Sequence, residues 1–162
     1  MKKLFLVLLM LASAFSFAQL GKGSNFVGVR ATNLGFSNYD KVTTYGAGLQ
    51  GGHFIQNNLA IVAGVGYTAV SAKNYNANDW NYEAGLKYYV GKVLPIQIDW
   101  NGATGNFSNP SKSNLGFSLG YAIFLGKNNN FNIEPGIKYN VSLKDDYKNM
   151  FSGGIGANYF FK

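Results

Sequence analysis

The sequence predicts an all-β fold in which eight antiparallel strands run up and down and close into a barrel. Large apolar residues alternate with small or polar ones along most of the chain, as in residues 115–125. This period of two is typical of a strand with two different faces. Residues that favour turns separate eight such stretches, and the connections alternate between short and longer ones. The 21 glycines and the aromatic content of 16% suit short strands joined by tight turns.

The first element is a signal peptide over residues 1–18. Lys2 and Lys3 begin it, and residues 4–17 form an apolar run. Ser16 and Ala18 are small residues at the two positions that a signal peptidase reads. We therefore expect cleavage before Gln19, which leaves a single domain over residues 19–162. The alternative, an uncleaved anchor helix, is disfavoured because the apolar run is short for a membrane span.

Eight alternating stretches follow the leader and predict the strands. They cover residues 24–32, 43–55, 59–70, 80–90, 96–101, 114–125, 131–143 and 150–161. The connections at 56–58, 91–95 and 126–130 are short, those at 34–41, 71–79 and 102–113 are longer, and that at 144–149 is intermediate. Pro135 interrupts the seventh stretch. Because proline has no N–H for the ladder, we expect a bulge or a missing hydrogen bond there.

Charged residues indicate which face of the sheet points inward. Six lie within the predicted strands, all on the parity opposite the apolar stripe: Arg30, Glu83, Lys87, Asp99, Glu134 and Lys138. A basic side chain facing lipid at the membrane midplane costs about 2–4 kcal/mol. A transmembrane barrel with these charges inside fits the leader, the glycine-rich polar face and the Trp and Tyr residues near strand ends. A soluble ligand-binding barrel with the reverse orientation is the structural alternative.

The expected lipid surroundings require the barrel to close. Lipid offers no hydrogen bonds, so the first and last strands must pair. With eight strands the interior just accommodates side chains and leaves little room for a channel. A turn centred on Val93 would place Lys87 opposite Asp99, and we expect this pair to form part of an internal polar plug.

Composition excludes several classes of function. The chain has no cysteine, so disulfides and a lipid-modified cysteine are excluded. Its net charge is +7, of which two units leave with the leader. The lysines are scattered, which argues against nucleic acid as a partner and favours attraction to anionic lipid headgroups.

No residue is assigned a catalytic, cofactor-binding or metal-binding role. His53 is the only histidine, and no serine and carboxylate accompany it, so we interpret it as a turn or interface residue. Residues 64–69 mimic a dinucleotide fingerprint but continue as a strand rather than a helix. Asp145 and Asp146 are two adjacent carboxylates in a loop, which do not make a calcium site.

Three segments resemble a known family. They are Phe54-Ile55-Gln56-Asn57-Asn58-Leu59-Ala60-Ile61 around the first short turn, Glu134-Pro135-Gly136 in the seventh strand, and the C-terminal Gly156-Ala157-Asn158-Tyr159-Phe160-Phe161. The mature chain resembles the small outer-membrane β-barrel proteins of Gram-negative bacteria ("porin family", OmpX/OmpA-like). The resemblance implies that Gly156, Tyr159 and Phe161 form the assembly signal read by the outer-membrane insertion machinery. It also implies an outer-membrane location with both termini in the periplasm.

These observations favour a non-enzymatic, monomeric outer-membrane barrel with a polar, largely plugged interior and no cofactor. Its role would be structural or an interaction at the cell surface, with loops 71–79 and 102–113 as contact sites. The alternative function is a narrow porin-like channel for small solutes. A lipid-modifying enzyme is a weaker alternative, because the catalytic set is missing.

Overall fold

The chain forms one antiparallel sheet of nine strand segments. The computed structural model describes residues 20–37, 42–72, 75–106, 108, 111–126, 128–144 and 149–162. The segments are β1 (Asn25–Ser37), β2 (Val42–Gln56), β3 (Leu59–Ala72), β4 (Tyr75–Val90), β5 (Leu94–Gly105), β6 (Lys112–Gly120), β7 (Ile123–Leu125), β8 (Phe131–Ser142) and β9 (Met150–Phe161). In the described part of the chain, no helix is long and apolar enough to cross a membrane. The predicted signal peptide lies outside the described residues.

The sheet closes on itself through β1 and β9. These two strands pair in antiparallel fashion, with Asn25 opposite Phe161 and Thr32 opposite Gly154. Segments β6 and β7 both pair with β8 and together make one strand of the wall. The result is a closed eight-stranded barrel, as predicted, in which every described strand has a paired neighbour on each side.

Two ends of the barrel are distinguished by their connections. The short-turn end carries the connections at 57–58, 91–93 and 126–130, and the loop end carries those at 38–41, 73–74, 106–111 and 143–149. Several strands reach further toward the loop end than predicted. The expected loop at 71–79 is largely paired ladder, with Ser71 opposite Asn76, and the expected loop at 102–113 shrinks to 106–111. Asn, Ser and Asp favour turns, but a backbone ladder forms equally well beneath polar side chains.

The two faces of the wall have opposite character. On the outer face, Leu119 is 45% exposed and Ile137 is 46% exposed. On the inner face, the side chains of Arg30 and Glu83 are only 19% and 15% exposed. The apolar stripe therefore faces outward and the charged stripe faces the barrel axis.

The wall is interrupted beside Pro135. The Tyr121 N–H donates to the Pro135 carbonyl at 3.0 Å, but Pro135 has no N–H to donate in return. The pairing of β8 with β6 and then β7 keeps the same register across this point, so no bulge forms. Of the two outcomes expected at Pro135, the missing bond is the one observed. A second proline, Pro95 on β5, approaches Gly120 from the other side of the same strand.

Replacing Pro135 with alanine should repair this interruption. The new N–H at position 135 would face the carbonyl of Tyr121, so we expect its amide to be protected from hydrogen exchange in micelles or nanodiscs. The added bond contributes about 0.5–1.5 kcal/mol, offset in part by the freer unfolded chain that loss of proline allows. An amide at 135 that exchanges as fast as those of the loops would show that proline does not cause the interruption.

Candidate functional site: the interior of the barrel

The floor of the barrel interior is a cluster of aromatic rings at the short-turn end. This aromatic floor consists of Phe26, Phe54, Tyr89, Phe124 and Phe160, contributed by five different strand segments. Neighbouring ring centroids lie 5.6–6.3 Å apart, within the range that aromatic pairs prefer. Phe54, Tyr89 and Phe160 have no exposed surface at all. The rings therefore close the interior at this end.

Glycine makes room for one of these rings. Gly52 on β2 lies opposite Phe26 on β1. A Cβ atom at position 52 would lie 2.2 Å from Cε1 of Phe26, inside the space that the ring occupies. The Phe26 ring thus covers the glycine backbone, an arrangement that stabilises glycine within a strand.

A buried ion pair lies directly on the aromatic floor. The Lys87 ammonium group donates to Oε2 of Glu134. The Tyr89 hydroxyl and the Asn132 side-chain amide donate to Oε1 of the same carboxylate at 2.6 Å and 2.8 Å. Nζ of Lys87 is also 5.3 Å from the ring centroid of Phe26 and 5.2 Å from that of Tyr89, which adds cation–π attraction.

The predicted pairing of Lys87 with Asp99 is wrong. Val90 pairs with Leu94, so the turn is centred on Lys92 and not on Val93. Gly91 and Lys92 both adopt positive φ angles, 57° and 69°, which produce this tight turn. The shorter turn places Lys87 opposite Gln97, while Asp99 lies opposite Gly85. Both charged side chains nevertheless point into the barrel.

The remaining predicted charges form one connected network above the ion pair. Arg30 donates to Oε1 of Glu83 at 2.8 Å, and Lys138 donates to Oε2 of Glu83 at 3.0 Å. Lys138 also contacts Oδ1 of Asp99 at 2.8 Å. Gln97 donates to the second oxygen of Asp99 at 2.8 Å. The structure therefore brings the six predicted residues together in two groups, each basic side chain against at least one carboxylate.

A cavity of about 550 Å³ extends from the Lys87–Glu134 pair, past the charge network, toward the loop end. Asp79, one of the lining residues, is buried and accepts a hydrogen bond from the Ser108 N–H at 3.0 Å. Ser108 belongs to the 106–111 connection, so this contact fixes that connection to the wall at β4. Sequence reasoning missed Asp79, because it fell in the expected loop at 71–79.

Sequence reasoning also missed the aromatic floor. Its rings share the inward parity of the charged residues, which was interpreted as the polar face. Their signal is visible in retrospect, since each ring lies within a few residues of a short turn or of a strand end.

The other predicted residues lie away from the interior network or at its margin. Gly156 is buried on β9, where Arg30 packs beside it, while Tyr159 and Phe161 point outward with ring centroids 6.3 Å apart. His53 lies at the short-turn end, where its Nδ1 is 2.8 Å from Oδ1 of Asn25. Asp145 and Asp146 lie outside the described residues.

Solved structures of bacterial outer-membrane proteins share this architecture. The outer-membrane protein Ail of Yersinia pestis in a nanodisc is 17% identical with a TM-score of 0.59, and the match covers 86% of this chain and all of Ail. Neisserial surface protein A is 18% identical with a TM-score of 0.54, covering 87% of this chain and 99% of that one. The N-terminal barrel domain of Pseudomonas aeruginosa OprF is 11% identical with a TM-score of 0.53 and the same coverage.

The fold is that of the small outer-membrane β-barrels. At these identities the likeness is one of fold alone, and it confirms the predicted architecture of an eight-stranded antiparallel barrel. Comparison with known family profiles finds no match. Comparison with curated protein sequences finds none either.

Proposed function

We propose that this chain is a monomeric outer-membrane barrel with a closed interior, which serves a structural role or an interaction at the cell surface. The observation that carries this proposal is the aromatic floor, together with the Lys87–Glu134 pair that lies on it. Fully buried rings leave no space for solute at the short-turn end, so a steady aqueous path through the barrel is disfavoured. The position of His53 on the outer surface, against Asn25, supports a non-enzymatic role.

Aromatic side chains on the outer face support a membrane location. Tyr88, Tyr159 and Phe161 lie toward the short-turn end. Tyr67, Trp80 and Tyr139 lie toward the loop end, and all six are exposed. Two such groups with an aliphatic zone between them match the aromatic girdles at the two interfaces of a bilayer. We place both termini and the short-turn end in the periplasm, with insertion guided by the signal at Gly156, Tyr159 and Phe161.

Arginine substitutions on the outer face should test the membrane location. Val65, near the middle of β3, and Val90, at the end of β4, both point outward. In lipid vesicles we expect Val65→Arg to lower the free energy of unfolding by about 2–4 kcal/mol and Val90→Arg by about 0–1 kcal/mol, because the cost depends on depth. Urea titration followed by heat-modifiable gel migration measures both. Equal, small effects would contradict a lipid-facing outer wall.

Two experiments test the proposed role. Purified protein in planar bilayers should give no steady conductance, whereas a reproducible conductance would favour the narrow channel instead. An epitope inserted at 145–148, between β8 and β9, should bind antibody on intact cells, while an epitope after Lys162 should not. The reverse labelling pattern would overturn the assigned orientation.

A further inference from the structure

The cavity toward the loop end has two unlike halves. Asparagine side chains line one half: Asn81 on β4, Asn101 on β5, Asn114 on β6 and Asn140 on β8. Glycine is frequent on the facing half, with Gly48 on β2, Gly64 and Gly66 on β3, and Gly153, Gly154 and Gly156 on β9. A molecule in this cavity would therefore meet mainly amides on one side and, on the other, glycine backbone together with the side chains of Arg30 and Thr68.

Hydrogen bonds hold the amides in fixed orientations. Asn114 donates to Oδ1 of Asn101 at 3.2 Å, and Asn101 donates to Oδ1 of Asn140 at 2.9 Å. Nδ2 of Asn101 also contacts Oδ1 of Asp99 at 2.7 Å, which joins the amide row to the charge network. Each amide carries two donor hydrogens and an acceptor oxygen, so the row retains capacity for further bonds while its geometry is already set.

The paired strands β2 and β3 leave no room for side chains at two of these glycines. A Cβ atom at Gly48 would lie 2.9 Å from the carbonyl oxygen of Val65, and one at Gly66 would lie 3.0 Å from that of Ala47. A side chain at either position would therefore collide with the neighbouring strand. The surface presented to the cavity consists of Cα hydrogens and peptide planes, which suits the C–H face of a flat ring.

Charge in the cavity is already balanced. Arg30, Glu83, Lys138 and Asp99 satisfy one another in the network described above. Three buried side-chain oxygen atoms, by contrast, have no hydrogen-bond partner among the described residues: Oε1 of Gln50, Oγ of Ser118 and Oδ1 of Asn158. Ser118 lines the cavity, and Gln50, only 2% exposed, bonds to the lining residues Glu83 and Gln97. The cavity lining thus offers amides and the Ser118 hydroxyl, while its charged side chains are paired with one another.

We propose that this cavity is a blind binding site for a small, neutral, polyhydroxylated molecule of the mono- or disaccharide class, entered from the loop end. Hydroxyl groups would bond to the amide row and to the Ser118 hydroxyl, while the C–H face would lie on the glycine backbone of the opposite half. A volume of about 550 Å³ falls within the range of small-molecule sites, about 300–1,000 Å³. Ionic ligands fit poorly, because they would have to compete with the existing ion pairs.

Titration of the full chain in nanodiscs tests this site. Glucose and sucrose serve as neutral probes and sucrose octasulfate as a polyanion built on the same scaffold, with side-chain amide resonances of Asn101 and Asn140 as the readout. We expect saturable shifts with at least one neutral probe and none with the octasulfate. An absence of shifts with both neutral probes, or shifts with the octasulfate alone, would overturn the proposal.

Variants locate the binding within the cavity. Asn140→Leu removes one amide of the row and should weaken binding of the neutral probe about tenfold or more, the effect of losing about 1.4 kcal/mol. Asn114→Leu provides a second variant if the first does not fold, as judged by heat-modifiable migration. Asn78→Leu changes an exposed residue of β4 and should leave the affinity unchanged. Equal affinities in all folded variants would place the probe elsewhere and contradict the proposal.

Discussion

Glu134→Gln should lower the free energy of unfolding by about 3–5 kcal/mol, because it leaves the Lys87 ammonium group buried without its counter-charge. Lys87 is 1% exposed, and its surroundings on the floor side are aromatic. The amide oxygen of the glutamine can still accept bonds from Tyr89 and Asn132, but its NH2 group faces Lys87 and cannot accept from the ammonium group, so the change removes both the counter-charge and that hydrogen bond. Urea titration of the barrel in phospholipid vesicles measures the effect.

A double variant separates the ion pair from general disturbance of the floor. Lys87→Met combined with Glu134→Gln removes both charges, and replacing a buried pair by neutral groups is often close to neutral in stability. We therefore expect the double variant to recover most of the loss. A double variant as unstable as the sum of the two single ones would show that the pair contributes no coupling.

Phe54→Ala is expected to have an effect of similar size through a different cause. Truncation removes a fully buried ring that lies 6.1 Å from the rings of both Phe26 and Tyr89. Deletion of a buried phenylalanine costs about 3–5 kcal/mol, with the larger values where the site cannot collapse. A floor attached to several strands of a closed wall has little freedom to collapse, so the upper part of this range is expected in the same urea titration.

The matched control for this prediction is Phe117→Ala on the outer face of β6. Phe117 is 43% exposed to the surroundings of the barrel, so its removal opens no internal cavity. We expect its effect to be smaller than that of Phe54→Ala by at least about 1 kcal/mol. Equal losses would mean that the aromatic floor is no better packed than the outer surface of the barrel.

Much of the architecture follows from periodicity alone. The last strand, β9, begins at Met150 and ends at Phe161, the bounds that alternation predicts. Closure of the wall follows from the lack of hydrogen-bonding solvent in lipid. Which face points inward follows from the six charged residues, because all of them lie on one face. The free-energy cost of one charge on the wrong face would exceed the summed preferences of many uncharged residues.

Which side chains meet inside the barrel was harder to predict from the sequence. Parity identifies Tyr89 and Phe160 as inward residues, but only three-dimensional convergence shows that they meet. The partner of Lys87 depends on whether the turn contains three or five residues, a local choice made by the left-handed backbone at Gly91 and Lys92. Predicting the cavity would have required the correct register of several strands at once, because its amides come from β4, β5, β6 and β8.

Two prolines flank the strand that β6 and β7 form together, and they should determine where the barrel wall opens first. Pro95 and Pro135 face adjacent residues, Gly120 and Tyr121, from opposite sides, and neither can supply a donor to the strand between them. We therefore expect transient local separation of strands to begin at this point, well before the paired strands on the other side of the barrel separate. During folding, we expect the backbone hydrogen bonds around this point to be among the last to form, after those that join β1 to β9.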